Sequence, residues 1–271
     1  MIIKSVGTLL CLLLCGCSGG VKHLKSSDGA AMSAMATDLL QARAIFVGEF
    51  HDQRDHHNLQ LSIIRELHRQ GAKLAIGLEM FDIEKQPILD EWTHGKIGLQ
   101  EFVAKYSRGW SINWAEYDMI FLFARNNRIP LVALDAPPEI VRLVTHAGSK
   151  ALGSTALKRL PSGVTTEISS SYRGFMEMAF NAHTAPGSMF DNFCAAQGLR
   201  NSTMALTISE YLTQNPDKRM VVVAGVGHTM RRASPRLLDG SEFRYRIVIP
   251  RVFGLYEELE RSDMDYFISF E

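Results

Sequence analysis

Four short segments of this chain are almost wholly apolar and rich in β-formers: Ala44-Ile45-Phe46-Val47, Leu74-Ala75-Ile76-Gly77-Leu78, Leu131-Val132-Ala133-Leu134 and Met220-Val221-Val222-Val223-Ala224. A strand wetted on one side alternates apolar and polar residues, whereas a strand covered on both sides does not. The four segments therefore predict an α/β fold: a mostly parallel sheet with helices on both faces. Between the first two, residues 55–70 place Leu59, Ile63, Ile64 and Leu67 on one helical stripe, and Gly71 stands where such a helix would stop, which makes a βαβ unit.

Further helical patterns cover 84–91, 99–106, 115–127 and 138–146. From about 151 to 215 no buried strand is legible, and the pattern is helical with breaks at Pro161, Gly163 and Pro186-Gly187, so this stretch is expected to be a helical insertion that covers or extends the sheet as a subdomain. Residues 244–249 alternate like an edge strand, and 265–270 would supply one more.

The N-terminus is organised differently. Lys4 precedes an apolar run from Val6 to Leu14, then Cys15-Gly16-Cys17. The run is roughly half the ~20 residues that cross a bilayer, and it has the order of a cationic region, an apolar region and a cleavage site. Residues 1–17 are thus expected to be a signal peptide ending in a lipobox, with Cys17 lipidated (thioether-linked lipid and palmitate). Residues 18–35 are expected to be a flexible tether and 36–271 a single domain. Cys11 and Cys15 would leave with the signal, so no disulfide framework is expected, and Cys194 reads as a small buried hydrophobe. About 235 residues suffice for one well-cored domain. The 29 basic and 29 acidic residues cancel, which gives no field for nucleic acid.

Each apolar segment runs into polar residues at its C-terminal end: Glu49 and His51 after the first, Glu79 after the second, Asp135 after the third and His228 after the fourth. Ligands of open α/β sheets bind beyond the carboxyl ends of the strands, so parallel strands would gather these groups in one crevice. Carboxylates with imidazoles suit a divalent metal or general acid/base work, and Glu49, His51, Glu79 and His228 are the candidates for either role. Asp135, ahead of Ala136-Pro137-Pro138, reads equally well as a turn or cap. His56 and Gln60, four apart on one helix face, would aim at the same crevice; His56 would either bind a ligand or orient Glu49 or His51. No H-E-x-x-H zinc signature, serine nucleophile elbow or phosphate loop is present, and Gly225-Val226-Gly227 lacks the remaining glycine of a dinucleotide fingerprint.

Val47-Gly48-Glu49-Phe50-His51 with His56-His57 and Gln60, Gly77-Leu78-Glu79-Met80-Phe81 with Gln86, Trp110 and Trp114 with Tyr117, Ile129-Pro130-Leu131, and Ala224-Gly225-Val226-Gly227-His228 together resemble the ChaN-type haem-binding lipoprotein family. The resemblance spans about 44–249. The Gly-Glu-x-His opening and Gly-x-Gly-His close are shared with the wider superfamily of erythromycin esterases and TIKI/TraB-type proteins. It implies haem as cofactor, a homodimer, a role in haem and iron acquisition at the cell envelope on an outer-membrane lipid anchor, and an outer-membrane haem transporter as partner. It also implies a tyrosine on the haem iron, for which Tyr117 and then Tyr106 are the candidates, with His56 nearby. A tyrosine that only anchors its helix is the other reading of Tyr117. Phe102, Trp110, Trp114, Met119, Phe175, Met176 and Met178 would supply an apolar face, or simply core. The alternative function is a hydrolase of an ester or peptide bond, in which a carboxylate and His51 activate water, with or without a metal.

Overall fold

The computed structural model describes residues 20–183, 190–251 and 259–270, as backbone only over 178–183. The expected signal peptide, Cys17, Pro186-Gly187 and the side chain of Met178 lie outside the described residues. Seven strands are described: β1 (Lys22–Lys25), β2 (Ala44–Glu49), β3 (Leu74–Asp82), β4 (Leu131–Asp135), β5 (Arg219–Gly225), β6 (Tyr245–Pro250) and β7 (Tyr266–Ser269). They form one parallel sheet in the order β1-β7-β6-β2-β5-β3-β4. The fold is α/β, as the four apolar segments require.

Every residue of β2 is buried, because alternate side chains enter two different cores. Ile45 and Val47 of β2, Ile76 and Leu78 of β3, and Val221 and Val223 of β5 pack under α1 (Gly29–Leu39), α2 (Arg54–Arg69), α3 (Gln86–Thr93), α4 (Leu99–Gly109) and α5 (Trp114–Asn126). Phe46, Ala75, Val222 and Leu134 face the opposite way, under α8 (Ser170–His183) and α9 (Phe190–Gln214). Each large side chain so enclosed contributes about 1.5–3 kcal/mol over leaving it in water. Between β4 and α8 lie α6 (Pro138–Ala147) and the single turn α7 (Ser154–Leu157); α6 packs on α9 through Ile140, Val144 and Leu199. A last turn, α10 (Val226–Thr229), follows β5 directly. The stop of α2 is the expected one: Gly71 has φ 83°, and Ala72 N–H closes the helix end on Leu67 C=O.

Two expectations change. Residues 18–35 are not all tether, since Lys22–Lys25 pairs with β7 and Gly29 opens α1, capped by Asp28. The strand over 244–249 is not an edge: β6 lies between β2 and β7, with Ile247, Val248 and Ile249 fully buried. The long helix of the 151–215 stretch covers the sheet, and Met204, Ala205, Ile208 and Leu212 of α9 belong to the sheet's own core.

Candidate functional site

Parallel pairing of β2, β5 and β3 brings their carboxyl ends side by side, with Glu49 in register with Gly225. Between Leu78 and Asp82 the register of β3 on β4 slips, so Glu79, Met80 and Phe81 bulge out opposite Leu134 alone. That bulge delivers Glu79 to the cluster. Its Oε2 accepts the N–H of Gly225 at 2.6 Å, and its Oε1 lies 3.5 Å from His228 Nε2. Glu49, His51, Glu79 and His228, far apart in sequence, therefore share one crevice.

Glu49 is surrounded by donors. His51 Nδ1 is 2.7 Å from Oε1, Gln60 donates to Oε2 at 2.7 Å, and the Tyr117 hydroxyl donates a short hydrogen bond to Oε1. Burial works against the His51 imidazolium, but the hydrogen bond to Glu49 and the charges of Glu79 and Glu49 outweigh it and raise the pKa. Because Nδ1 is committed to Glu49, the other ring nitrogen is the one left for a ligand. The His51 ring is about a third exposed and packs edge-on against Trp110, with ring centres 5.0 Å apart.

The second half of the cluster is built around Arg200 of α9. Its guanidinium donates to Glu79 at 2.7 Å and to both oxygens of Asp135 at 2.6–3.0 Å. Burial opposes ionisation of Glu79, yet His228, Arg200 and His51 facing it, with the Gly225 N–H, hold its pKa down at about 2. Burial raises that of Asp135, with Arg200 opposing. His228 is kept neutral, at about 3, by burial and by Arg200. Asn201 accepts the His228 Nδ1 hydrogen at 2.7 Å, and Tyr172 donates to the Gly227 carbonyl at 2.7 Å.

Sequence reasoning missed Arg200, Asn201 and Tyr172, which lie in the helical stretch read as cover. Asp135 is both things at once: Oδ1 accepts the Ala136 N–H at 2.8 Å while the carboxylate binds Arg200. The metal expectation is corrected. Among the described residues no group of three or more His, Cys, Asp or Glu side chains is arranged to hold an ion. The reason is physical: Arg200, a permanent cation, already stands against Glu79 and Asp135, and Glu49 is taken up by His51, Gln60 and Tyr117.

His56 does not reach the crevice as a ligand. Its Nδ1 accepts the Phe50 N–H at 2.9 Å and its Nε2 faces the Arg251 carbonyl at 3.3 Å, so the ring orients the backbone that carries His51. Nor do the two tyrosines present a hydroxyl to it. Tyr117 is enclosed and bonded to Glu49; burial first, then that charge, push its pKa far up, which holds the phenol protonated. Tyr106 is equally enclosed, against Phe81, Trp114 and Phe121, and burial raises its pKa too. Phe102 is core and Met119 is exposed on α5; Phe175 and Met176 do line the crevice. Cys194 is a buried free thiol.

Beneath Glu49 lies a second group of polar atoms. Both nitrogens of His57, Gln60 Oε1, Tyr106 Oη, Trp110 Nε1 and Glu116 Oε2 are buried without a hydrogen-bond partner among the described residues. His57 stands 3.6 Å from Glu49 and 3.4 Å from Glu116 and stacks on Tyr117. Buried groups of this kind are normally satisfied by ordered water.

The crevice encloses about 560 Å3, within the range of cofactor pockets, about 300–1,000 Å3. Its walls are Phe50, Ile112, Tyr172, Phe175, Met176 and Phe193 around the polar floor. Broad apolar walls and one uncommitted imidazole nitrogen fit a haem group; they leave a planar apolar macrocycle both a surface and an axial donor.

Comparison with known proteins agrees with this architecture. Residues 35–234 match a family model described as haem-binding uptake, Tiki superfamily, ChaN. The chain is similar to the protein RETICULATA-RELATED 5, chloroplastic, of Arabidopsis thaliana, at 28% identity over 44% of this chain but only 17% of that protein, so it spans about a sixth of that relative. Among solved structures it is similar to ChaN of Campylobacter jejuni with cofacial haem, at TM-score 0.69 and 16% identity over 86% of this chain and 89% of the other. An erythromycin esterase mutant in its open conformation gives TM-score 0.48 and 16% identity over 80% and 72%.

Proposed function

The chain belongs to the haem-binding-uptake family of the Tiki superfamily that includes ChaN, and from that membership we propose that it binds haem in the crevice at the ends of β2 and β5. The observation that carries the reading is His51, fixed by Glu49 at the mouth of an apolar crevice of haem-compatible size. His51 would face the iron in place of the tyrosines, Phe175, Met176 and Phe193 would cover the macrocycle, and bound haem would supply ferric iron for transport. The Glu49 carboxylate holds the ring in one tautomer and orientation, as partners of metal-facing histidines do.

The same proposal places the protein in haem and iron acquisition at the cell envelope, lipidated at Cys17 in the outer membrane, acting as a homodimer and passing haem to an outer-membrane transporter. The cationic start, the short apolar run and Leu14-Cys15-Gly16-Cys17 support the anchor. Titration of the purified protein with ferric haem tests the site: a Soret band is expected, retained in Tyr117→Phe and lost in His51→Ala. A spectrum unchanged by His51→Ala and abolished by Tyr106→Phe would overturn the assignment. Palmitate labelling that survives Cys17→Ala would remove the anchor.

One observation favours a second reading. The Glu49–His51 pair, with its raised imidazole pKa and open ring edge, is also a general base able to activate water on an ester or peptide bond. Turnover of an ester panel that is indifferent to Glu49→Gln and His51→Ala would dispose of it.

A further inference from the structure

Haem carries two carboxylates. Among the described residues, the cationic side chain that lines the crevice besides the imidazoles is Arg200, whose guanidinium is already bonded to Glu79 and Asp135. Across that same ion group lies a second cavity, of about 590 Å3, also lined by Glu79 and Arg200. The two cavities adjoin there, and the chain between α4 and α5 borders both, Trp110 lining one and Ile112 the other.

The charge pattern of the second cavity is uneven. Its acids are engaged: Glu84 and Glu139 hold Arg159, Glu79 and Asp135 hold Arg200, and Asp82 caps the Glu84 N–H. Its cations are not engaged to the same degree. Lys105 reaches Glu101 on its own helix at 3.3 Å and Glu91 of α3 at 3.9 Å, both partly exposed, and Lys85 and Arg108 form no ion pair among the described residues. Trp110 also lines the cavity and packs edge-on against His51. Basic side chains set in walls of Phe81, Ile88 and Val141 describe a berth for the anionic end of an amphipathic molecule.

We infer that this second cavity receives the haem carboxylates, with Lys105 and Arg108 as their anchors. The inference rests on the reading that haem occupies the crevice, and it adds the residues that would distinguish haem from an uncharged tetrapyrrole.

The test titrates ferric haem and its dimethyl ester, which lacks the two charges, into wild type, Lys105→Glu/Arg108→Glu and the milder Lys105→Gln/Arg108→Gln. Both substitutions are on an accessible helix surface, and equal urea midpoints would show that the fold is intact. At low salt the charge reversal is expected to weaken haem binding about tenfold or more and the neutral pair less, as two solvent-accessible ion pairs would, while the ester binds all three proteins alike. Equal loss for both ligands, or none for haem, would overturn the inference and leave the crevice reading standing. A wild-type protein that gives no Soret band with either ligand would instead overturn the crevice reading and this one with it.

Discussion

Replacing Arg200 by methionine removes the cation that two buried carboxylates share while keeping most of the side-chain volume. Breaking a buried ion group by deleting one partner costs about 3–5 kcal/mol. The structure sets which end of that range applies. Glu79 is ionised down to about pH 2 in the fold, against about 4.3 for a free glutamate, which is about 3 kcal/mol at about 1.4 kcal/mol per pH unit, and Arg200 shares that stabilisation with His228, His51 and the Gly225 N–H, so its removal forfeits only part of it. The lower end is therefore expected, the more so because Asp135, its pKa already raised by burial, can take up a proton when Arg200 leaves. The sign with pH follows. In wild type the folded pKa of Glu79 lies below the unfolded one, so its contribution is complete above about pH 5 and fades as pH falls towards 2. In the variant Asp135, whose pKa burial raises even with Arg200 opposing, loses that opposition and is lifted further above its unfolded value, while Glu79 keeps only His228, His51 and the Gly225 N–H against burial, so the variant gains on wild type as pH drops from 7 to 5. Urea unfolding at the two pH values should therefore show a gap of about 3 kcal/mol at pH 7 that narrows at pH 5, and adding Glu79→Gln and Asp135→Asn should recover more than half of it. A loss below about 1 kcal/mol at pH 7, or a gap that widens at pH 5, would refute the reasoning.

Tyr117→Phe deletes a donor to a buried carboxylate and should cost about 1.5–3 kcal/mol in denaturant unfolding; an unchanged midpoint would mean that the hydroxyl does not hold Glu49. Gly198→Ala places a Cβ 2.3 Å from the Thr166 carbonyl oxygen, which cannot turn away, whereas at Gly48 the nearest atom is the Thr229 hydroxyl at 2.8 Å, which can; thermal denaturation should rank Gly198→Ala as the more damaging, and the reverse order would contradict the packing described. His228 is held neutral to about pH 3 while the unfolded chain takes the proton near 6.5, so stability falls as pH drops through that window, and His228→Gln should flatten part of the fall in urea midpoints. A high-resolution crystal structure should show ordered water bridging His57, Glu116 and Tyr106; a dry contact there would leave the buried atoms without an explanation.

The sheet was legible because strands buried on both faces have no polar residues to spare. The edge β1 was not, since Lys22-His23-Leu24-Lys25 is charged and largely exposed and looks like linker until β7 is beside it. Glu49, Glu79 and His228 were legible for the same topological reason, each being the first ionisable residue beyond an apolar strand. Arg200 was not, because an arginine in a helical pattern is ordinarily a solvated one. Yet a signal existed. Arg200-Asn201-Ser202-Thr203 are four consecutive polar residues, and at about 100° per step their side chains fan over about 300°, so no single outward face can hold them all. Asn201, Ser202 and Thr203 are buried and Arg200 nearly so. For His56 the helical spacing gave the right direction and the wrong chemistry: the ring does turn towards the loop of His51, but it spends its nitrogens on backbone.

The position of the crevice follows from the course of the chain around two neighbouring strands. From β2 it turns to the face covered by α2, and from β5 to the opposite face, where Ala233 and Leu238 join the other core. Adjacent strands whose continuations part in this way leave a gap between their ends. Closing that gap to hydrogen-bond distance requires that nothing fill it, and this is what Gly225 does. A Cβ there would lie 3.2 Å from the His51 ring and 3.5 Å from a Glu79 oxygen. The peptide of Gly225 at the same time pairs with Glu49 in the sheet and donates to Glu79. One residue without a side chain therefore ties β2, β3 and β5 together and sets the spacing of the two carboxylates. Adding a methyl group at 225 would force His51 or Glu79 aside by a few tenths of an ångström, a small change for the fold and a large one for any ligand that must meet both.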